Sequence, residues 1–468
     1  MAAYLLFEVM VMLLSRLNDV VWSPWLLGLF LAAGLYYSLR TGFFQIFRIP
    51  LWLRTTFGAM LRRRGRGNGR GISQFQALAT ALASTIGTGS IAGVATAIWF
   101  GGPGAVFWMW VSALLGMMTG CAEKLLSVRY RRAGPAGWLG GPMYYILDGL
   151  KSPLLAGWFA LACLPATLTG GDMVQSSSIA AALQATFGWD RLAVGAAVAV
   201  LTGLVMVGGI GRIARVSSGL VPAMALLYLG GGAAVLAARA DQIPEAMALI
   251  FCSARRPEAA VGGGMGYTLA AALRYGVARG VFTNEAGLGT SAMAHAAAEV
   301  DCPARQGMWG IVEVCVSTLL VCTATALVIL VSGVYGPADA LVRGALGAVP
   351  PDRLGAPLTA AAFSSVLGPW GGAVVSLSLL LFAFSSILGW SWYGEQSILY
   401  LTGSRRLVPA YRLVFLSCVV LGSVWEGEAV WELVDLCNAL MAIPNLTALL
   451  LLSPQVLREL RDWERTGG

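Results

Sequence analysis

The chain has 468 residues, of which 57% are hydrophobic and only 12% are charged. This composition excludes an ordinary soluble domain, in which about 25% of residues are charged. The formal net charge of +8 does not indicate a nucleic-acid partner, because the basic residues stand in short segments between apolar runs and are not interleaved with aromatic residues. Apolar runs of roughly 20 residues recur from end to end, which predicts an all-α integral membrane protein in a lipid bilayer. A β-barrel would instead alternate over segments of about 10 residues.

The reactive residue types exclude several other classes of protein. Eight cysteines are scattered without a C-x-x-C pair, so we expect small buried side chains and neither a cofactor nor a disulfide framework. The sequence has a single histidine and no G-x-S-x-G motif, so we expect no enzyme activity and no catalytic residues. The apolar N-terminus carries Glu8 and no basic leader, which argues against a cleaved signal peptide.

About eleven apolar runs predict transmembrane helices. The first run is followed by a basic segment with Arg62, Arg63 and Arg64, which the positive-inside rule places in the cytoplasm. We therefore expect the N-terminus outside and the C-terminus inside. Residues near Asp241 and Arg255 are expected to form an outer loop. The predicted spans lie near residues 24–39, 74–100, 106–128, 154–182, 192–209, 220–238, 264–298, 307–331, 360–388, 407–424 and 430–452.

Two sets of five spans remain when the first span is set aside. An odd number of crossings per set puts the two sets in opposite orientation, so we expect an inverted repeat. The expected divisions are an extra N-terminal helix with a basic loop at 1–73, a first repeat at 74–240, a second repeat at 262–453, and a short charged cytoplasmic helix in the tail at 454–468.

Each set of five opens with a span that glycines interrupt, around Gly87 and Gly89 in the first and from Gly280 to Gly289 in the second. Glycine weakens a helix interior by about 1 kcal/mol relative to alanine, so we expect both helices to break within the membrane. Paired breaks at matching positions are typical of the substrate site of a secondary transporter. The alternative for Gly89 and Gly93 is a small-residue face for helix packing.

The first break offers main-chain groups to both an anion and a cation. The N–H groups that open the second half-helix point at an anion such as a carboxylate, and the last carbonyls of the first half-helix face a cation. The candidates are Thr88, Gly89 and Ser90 for the anion, and Ala83, Thr85 and Ile86 for the cation.

Polar side chains elsewhere in the spans extend this candidate site. Thr283 and Asn284 lie in the second break. Ser385 and Ser386 supply neutral hydroxyl oxygens of the kind that a sodium site uses, although serines in spans also bond to the carbonyl one turn back. The remaining candidates are Asp172 and Gln175, which are expected to be buried, and Trp390, which either covers the pocket or simply packs.

Two ionisable residues are expected to be structural. Glu285 is costly at membrane depth, so we expect it to bond to the loosened backbone or to Arg279. His295 lies where the second broken span approaches the cytoplasm, and we expect a hydrogen-bonded structural role in preference to proton transfer.

These stretches resemble the alanine or glycine:cation symporter family, also called sodium:alanine symporters. The likeness extends from Gly71 to Ser453. It implies a five-plus-five inverted-repeat amino-acid transporter fold of the LeuT type, with an extra N-terminal helix. It also implies a bacterial cytoplasmic membrane protein that imports small neutral amino acids, alanine or glycine, with sodium as coupling ion. The segments that carry the likeness are Ile86–Ala95, Gly101–Trp110, Gly140–Tyr145, Asn284–Gly289, Ala294–Ala298, Gly389–Glu395 and Met441–Leu446.

The resemblance also implies roles for individual residues. The main-chain N–H groups of the first break, aided by an amide side chain, hold the substrate carboxylate. The second break faces the ammonium group and the small side chain, and two hydroxyls with two carbonyls hold sodium. In this sequence these are Thr88, Gly89 and Gln175 for the carboxylate, Phe282, Thr283 and Asn284 for the ammonium group, and Ala83, Ile86, Ser385 and Ser386 for sodium.

The sequence departs from the family pattern at three positions. Family members usually have Asn at the positions of Ser90 and Asp172, and Asp at the position of Ser317. These differences leave three alternatives open, which are coupling to protons, a different amino-acid selectivity, and an amino-acid sensor or binding protein that does not transport.

Overall fold

The computed structural model describes residues 2–58, 71–134, 137–255, 269–335, 355–425 and 428–466. This part of the chain is predominantly α-helical, which confirms the all-α prediction. A small antiparallel hairpin of β1 (Arg132–Gly134) and β2 (Gly137–Leu139) interrupts the helices. The basic run at Arg62–Arg64 and the beginning of the predicted span at 264–298 lie outside the described residues.

The helices before residue 256 include two N-terminal helices and the first broken span. They are α1 (Ala2–Val21), α2 (Pro24–Arg40), α3 (Phe44–Phe47), α4 (Ile49–Leu53), α5 (Gln74–Thr85), α6 (Ala92–Gly101), α7 (Gly104–Arg129), α8 (Pro142–Leu150), α9 (Pro153–Leu168), α10 (Val174–Phe187), α11 (Arg191–Met206), α12 (Gly209–Ala238) and α13 (Ile243–Arg255). A π-helical segment, Thr169–Met173, joins α9 to α10, so that the two helices form one continuous span.

The helices after residue 268 begin with the second broken span. They are α14 (Leu269–Asn284), α15 (Ala292–Ala296), α16 (Pro303–Val314), α17 (Thr323–Val331), α18 (Ala356–Leu367), α19 (Pro369–Thr402), α20 (Val408–Val424), α21 (Glu428–Leu451) and α22 (Ser453–Arg465). A second π-helical segment, Cys315–Cys322, joins α16 to α17.

Every predicted span has a helical counterpart, but not every counterpart is a long helix. Within the described residues, 7 helices are long and apolar enough to cross a membrane, or 8 if α1 and α2, which are bent by 41°, form one span. The other three counterparts are shorter. Breaks separate α5 from α6 and α14 from α15, and α11 has only 16 residues. The number of long helices is therefore lower than the number of predicted spans, because the breaks divide two of them and α11 is shorter than the other crossing helices.

Two further predictions needed correction. The expected outer loop contains α13, whose buried side chains Ala246, Ile250 and Ala254 recur at helical spacing and pack on α7 and α17. The span expected at 360–388 is divided by a turn, because Gly368 has a φ of 57° and a proline follows it. The helix that begins there, α19, then continues to Thr402.

The tail forms the short charged helix that the sequence predicts. Its apolar side chains, including Val456 and Trp463, are buried against the end of the bundle. Arg129 pairs with Glu459, which ties the tail helix α22 to the end of α7.

The centre of the bundle is the packing of α7 against α14 and α16. Glycines let α7 and α16 approach to backbone contact. A Cβ atom added at Gly310 would lie 2.5 Å from the carbonyl oxygen of Gly120 and 2.7 Å from its carbonyl carbon. Two rigid backbones cannot adjust to such an atom as a flexible side chain can.

We expect Gly310→Ala to destabilise the protein by about 1–3 kcal/mol, since overpacking a close helix contact has a cost of that size. The measurement is the thermal unfolding midpoint in detergent, followed by size-exclusion chromatography. Gly230→Ala is the matched control, because Gly230 lies in α12 with no atom within 4 Å of an added Cβ atom. Equal midpoints for both variants would refute the close contact.

Candidate functional site

The first broken span comes apart at the glycines. Helix α5 ends at Thr85, Gly87 is extended with φ −112° and ψ −149°, and a single 3-10 turn at Thr88–Ser90 precedes α6. Because Gly87 leaves the helix, the carbonyl that it would have bonded, that of Ala83, is free to accept other donors. The N–H of Thr88 donates to the Gln175 side-chain oxygen at 3.3 Å.

The second broken span has a longer non-helical stretch, residues 285–291. Glu285 adopts a left-handed backbone with φ 54°, and Gly287 and Gly289 have φ values of 99° and 79°. The Glu285 carboxylate accepts a hydrogen bond from the Thr290 hydroxyl across the break. No ion pair joins Glu285 to Arg279 in the described part of the chain, so the partner is local and is not the arginine suggested by the sequence.

The two breaks face each other across one small cavity. Gly89 from the first break and Phe282 and Glu285 from the second line it, together with Gln175 and Trp390. The centre of a water molecule can move within about 20 Å³ of this cavity. It is therefore a small space between the two breaks.

Five of the candidate residues, Thr85, Gly89, Gln175, Phe282 and Trp390, line this cavity. Thr88 is connected to the cavity by a hydrogen bond, because its N–H donates to the side-chain oxygen of Gln175. Thr283 lies beside Gly89, since a Cβ atom added at Gly89 would be 3.0 Å from the Phe282 ring and 3.4 Å from the Thr283 hydroxyl.

Ser90 and Asn284 are used within the breaks themselves. The Ser90 N–H donates to the Gly87 carbonyl within the 3-10 turn, so it is not a free donor for an anion. The Asn284 side-chain oxygen accepts from the Ala286 N–H at 3.0 Å, and its amide donates to Thr318 at 3.3 Å. Ser317, on the π-helical segment after α16, is buried outside the cavity lining.

The candidate cation residues converge at the end of α5. The hydroxyls of Ser385 and Ser386 each lie 3.0 Å from the Ala83 carbonyl oxygen, and Ser386 also lies 3.2 Å from that of Ser84. Ser385 bonds in addition to the Phe382 carbonyl of its own helix at 2.8 Å, as the alternative interpretation expects. Ile86 directly follows the last residue of α5, and its N–H donates to the Leu82 carbonyl.

A cation here would be coordinated by neutral oxygens. In the part of the chain that the structure describes, no group of three His, Cys, Asp or Glu side chains stands at metal-binding distance. Carbonyl and hydroxyl oxygens are hard neutral donors that suit a small monovalent ion better than a transition metal.

A buried charged network that was not predicted from the sequence lies beside the second break. Lys124 lies 3.4 Å from the carboxylate of Glu123 and 3.2 Å from that of Glu313, and all three are fully buried. His295 extends this network, with its ring nitrogens 3.2 Å from Glu313 and 2.6 Å from Gln306. The expected structural role of His295 fits these contacts. The sequence does contain a signal for this network. Glu123, Lys124 and Glu313 lie inside apolar runs, where charged residues are rare unless they are paired.

The network holds the second break in shape. Glu123 accepts the N–H of Gly287 at 2.9 Å and the amide of Asn445 at 2.7 Å, and Asn445 also donates to the Gly287 carbonyl at 2.9 Å. Both main-chain groups of Gly287 are thereby satisfied although no helix is present.

Comparison with known proteins identifies the family. The model of the sodium:alanine symporter family matches residues 7–467. The chain is 41% identical over 456 residues to the sodium/alanine symporter of Methanococcus maripaludis, with 96% of each chain covered. It is 36% identical over 452 residues to a probable sodium/glutamine symporter of Bacillus subtilis, covering 96% of this chain and 89% of that one.

A solved structure shares the fold. A variant of the manganese transporter of Eremococcus coleocola superposes with a TM-score of 0.52 at 18% identity, covering 81% of this chain and 79% of that one. Likeness at this identity concerns the fold alone. Because the family model spans nearly the entire sequence, the chain belongs to the sodium:alanine symporter family, which makes it a multi-pass membrane transporter of the symporter class and not an enzyme.

Proposed function

We propose that this protein imports a small neutral amino acid, alanine or glycine, together with sodium by alternating access. The observation that carries the proposal is the cavity between two broken helices. Gln175 lines this cavity and accepts the Thr88 N–H. Next to it, the Ala83 carbonyl meets the hydroxyls of Ser385 and Ser386. A site of this kind binds the carboxylate and the ammonium group of an amino acid together with a coupling ion. Membership in the family supports sodium as the coupling ion.

The substrate carboxylate binds at Thr88 and Gly89 in this proposal, with Gln175 completing the site. The ammonium group and the side chain then lie toward Phe282 and the second break. The cavity is small and the Phe282 ring forms part of its lining. This small volume supports alanine or glycine over a larger amino acid such as glutamine.

Sodium binds in this proposal at the end of α5, through the Ala83 and Ile86 carbonyls and the hydroxyls of Ser385 and Ser386. These oxygens link the first broken span to α19. Sodium and substrate together would therefore draw α5, α14 and α19 toward one another and favour the closed state.

We further propose a five-plus-five inverted repeat of the LeuT type, with eleven crossings and an extra N-terminal helix. The broken spans open each set of five, and the likeness to the manganese transporter supports this type of fold. In this proposal the N-terminus lies outside and the C-terminus lies in the cytoplasm of a bacterium, which the positive-inside rule favours for the basic segments.

The test is uptake of labelled alanine into proteoliposomes with and without an inward sodium gradient. We expect accumulation only with the gradient, and Thr88→Pro, which removes the N–H that Gln175 accepts, should abolish it while the protein still reconstitutes. Accumulation that is unchanged without sodium refutes sodium coupling. Binding without accumulation would instead identify a sensor.

Ser386→Ala should raise the sodium concentration needed for half-maximal uptake by about tenfold, since a lost hydroxyl ligand is worth about 1.5 kcal/mol. The maximal rate at saturating sodium should change much less. Ser391→Ala is the matched control, because Ser391 is buried in the same helix and its hydroxyl donates to the Leu388 carbonyl of that helix at 2.7 Å. A sodium dependence identical in both variants would exclude Ser386 as a ligand.

A further inference from the structure

The π-helical segment between α9 and α10 joins the cavity to a buried carboxyl group. Gly170 of this segment lines the cavity. Gly171 packs so closely on Trp390 that an added Cβ atom would lie 2.6 Å from the Trp390 Cβ atom. The next residue, Asp172, is fully buried on the side of the segment that meets α20. One short segment thus forms part of the cavity wall and carries an ionisable group behind it.

No cationic side chain in the described part of the chain lies against Asp172, and the main-chain N–H of Met173 is the donor beside its carboxyl group. Neither of its carboxyl oxygens has a side-chain hydrogen-bond partner in the described part of the chain. On α20, the phenol of Tyr411 and the thiol of Cys418 interact with it electrostatically, and the Tyr411 hydroxyl already donates to Thr167. The segment also packs on α9, α19 and α21. Their titratable side chains over this stretch are Cys163, Tyr393, Glu395, which is paired with Arg412, Asp435, which faces Arg279, and Cys437.

An isolated carboxylate buried in this way costs several kcal/mol, whereas the neutral acid does not carry that cost. The conformation described here, in which Asp172 is fully buried, therefore favours the neutral acid. A conformation that admits water to the segment would remove the penalty on the charged form. The charge of Asp172 is then linked to opening and closing.

Hydrogen bonds connect this segment to the proposed carboxylate site. The Gln175 amide donates to the Gly170 carbonyl at 3.1 Å, and the Gln175 oxygen accepts the Thr88 N–H at 3.3 Å. A substrate carboxylate that binds at Thr88 acts on Gln175 directly. Any displacement of Gln175 is passed to the carbonyl two residues before Asp172.

We propose that Asp172 is a proton-binding site linked to substrate occupancy. Its carboxylate takes up a proton from water when the transporter closes around the amino acid and returns it to water when the transporter opens. This inference rests on the proposed amino-acid site and adds the binding of a proton to the proposed transport cycle. It does not require the proton to replace sodium.

The test measures proton uptake by the purified protein in weakly buffered detergent solution, using a pH-sensitive dye, when alanine is added with saturating sodium. Binding of labelled alanine is measured in parallel, so that failure of the proposed function is seen separately. We expect proton uptake by the natural protein and by Asp172→Glu, which keeps a carboxyl group. We expect none with Asp172→Asn, which is isosteric and neutral. Asp190→Asn, at the exposed cap of α11, is the matched control and should retain the uptake.

Three results overturn the proposal: alanine binding by the natural protein without proton uptake, proton release in place of uptake, or uptake that persists in Asp172→Asn. If Asp172→Asn does not fold, the infrared difference spectrum of the natural protein and Asp172→Glu decides. We expect alanine to induce a carboxylic-acid C=O band that shifts between these two proteins, and an unshifted or absent band contradicts the assignment.

Discussion

Lys124→Met is expected to give the largest loss of stability of any single substitution considered for this protein. Methionine fills a similar volume but leaves the carboxylates of Glu123 and Glu313 buried without a cation. Removing one partner of a buried ion pair typically costs about 3–5 kcal/mol, because the remaining charge is uncompensated. That cost is a large part of the stability of a typical domain. We therefore expect little folded protein, measured by fluorescence-detected size-exclusion chromatography of a fusion to a fluorescent protein.

Two further proteins separate the effect of charge from the effect of shape. Lys151→Met, at the exposed end of α8, removes the same charge and should express normally. Adding Glu123→Gln and Glu313→Gln to Lys124→Met removes both unpaired charges and should recover a substantial part of the folded yield. Wild-type yield from Lys124→Met alone would contradict a paired network, and no recovery in the triple variant would show that shape dominates.

Gly87→Ala is expected to give the largest loss of transport in a protein that still folds. The added Cβ atom would lie 2.6 Å from the Ser386 hydroxyl and 3.1 Å from the Gln175 oxygen. The φ of Gly87 is −112°, outside the left-handed region, so we attribute the expected effect to the contact of the added atom. Ser386 and Gln175 must both move, which disturbs the proposed sodium and carboxylate sites together. A cost of about 1–3 kcal/mol corresponds to roughly 5- to 150-fold weaker binding.

The readout is the concentration of alanine, and separately of sodium, that gives half-maximal uptake in proteoliposomes. Gly93→Ala is the matched control, because Gly93 lies six residues further along the same broken span and an added Cβ atom there has no neighbour within 4 Å. We expect both concentrations to rise for Gly87→Ala and neither to change for Gly93→Ala. Equal effects would indicate general helix strengthening, with no role for the contact at Ser386.

The sequence predicts the helices and the breaks because both depend on local properties. Apolar runs of membrane length and the glycines at 87, 89, 287 and 289 are visible without any knowledge of contacts. Gly87, Gly287 and Gly289 adopt backbone conformations that are not helical, which agrees with the expected breaks. Local reasoning is less successful at Ser90, whose N–H closes a 3-10 turn that glycine content does not predict.

The network around Lys124 depends on contacts that local patterns do not contain. Glu123 and Glu313 belong to spans far apart in the sequence and meet only because Gly120 and Gly310 let α7 and α16 approach closely. The helix α13 was missed for a different reason. Charged residues at both of its ends are typical of a loop. The apolar residues around Ile250 indicate a packed helix only once it is known that α7 covers them.

The most direct measurement is an experimental structure of the protein with saturating alanine and sodium. We expect amino-acid density in the cavity that Gly89, Phe282 and Trp390 line, with its carboxylate at the Thr88 N–H. We also expect an ion among the Ala83 carbonyl and the hydroxyls of Ser385 and Ser386. Amino-acid density elsewhere in the protein, or a continuous helix through residues 86–91, would contradict the account.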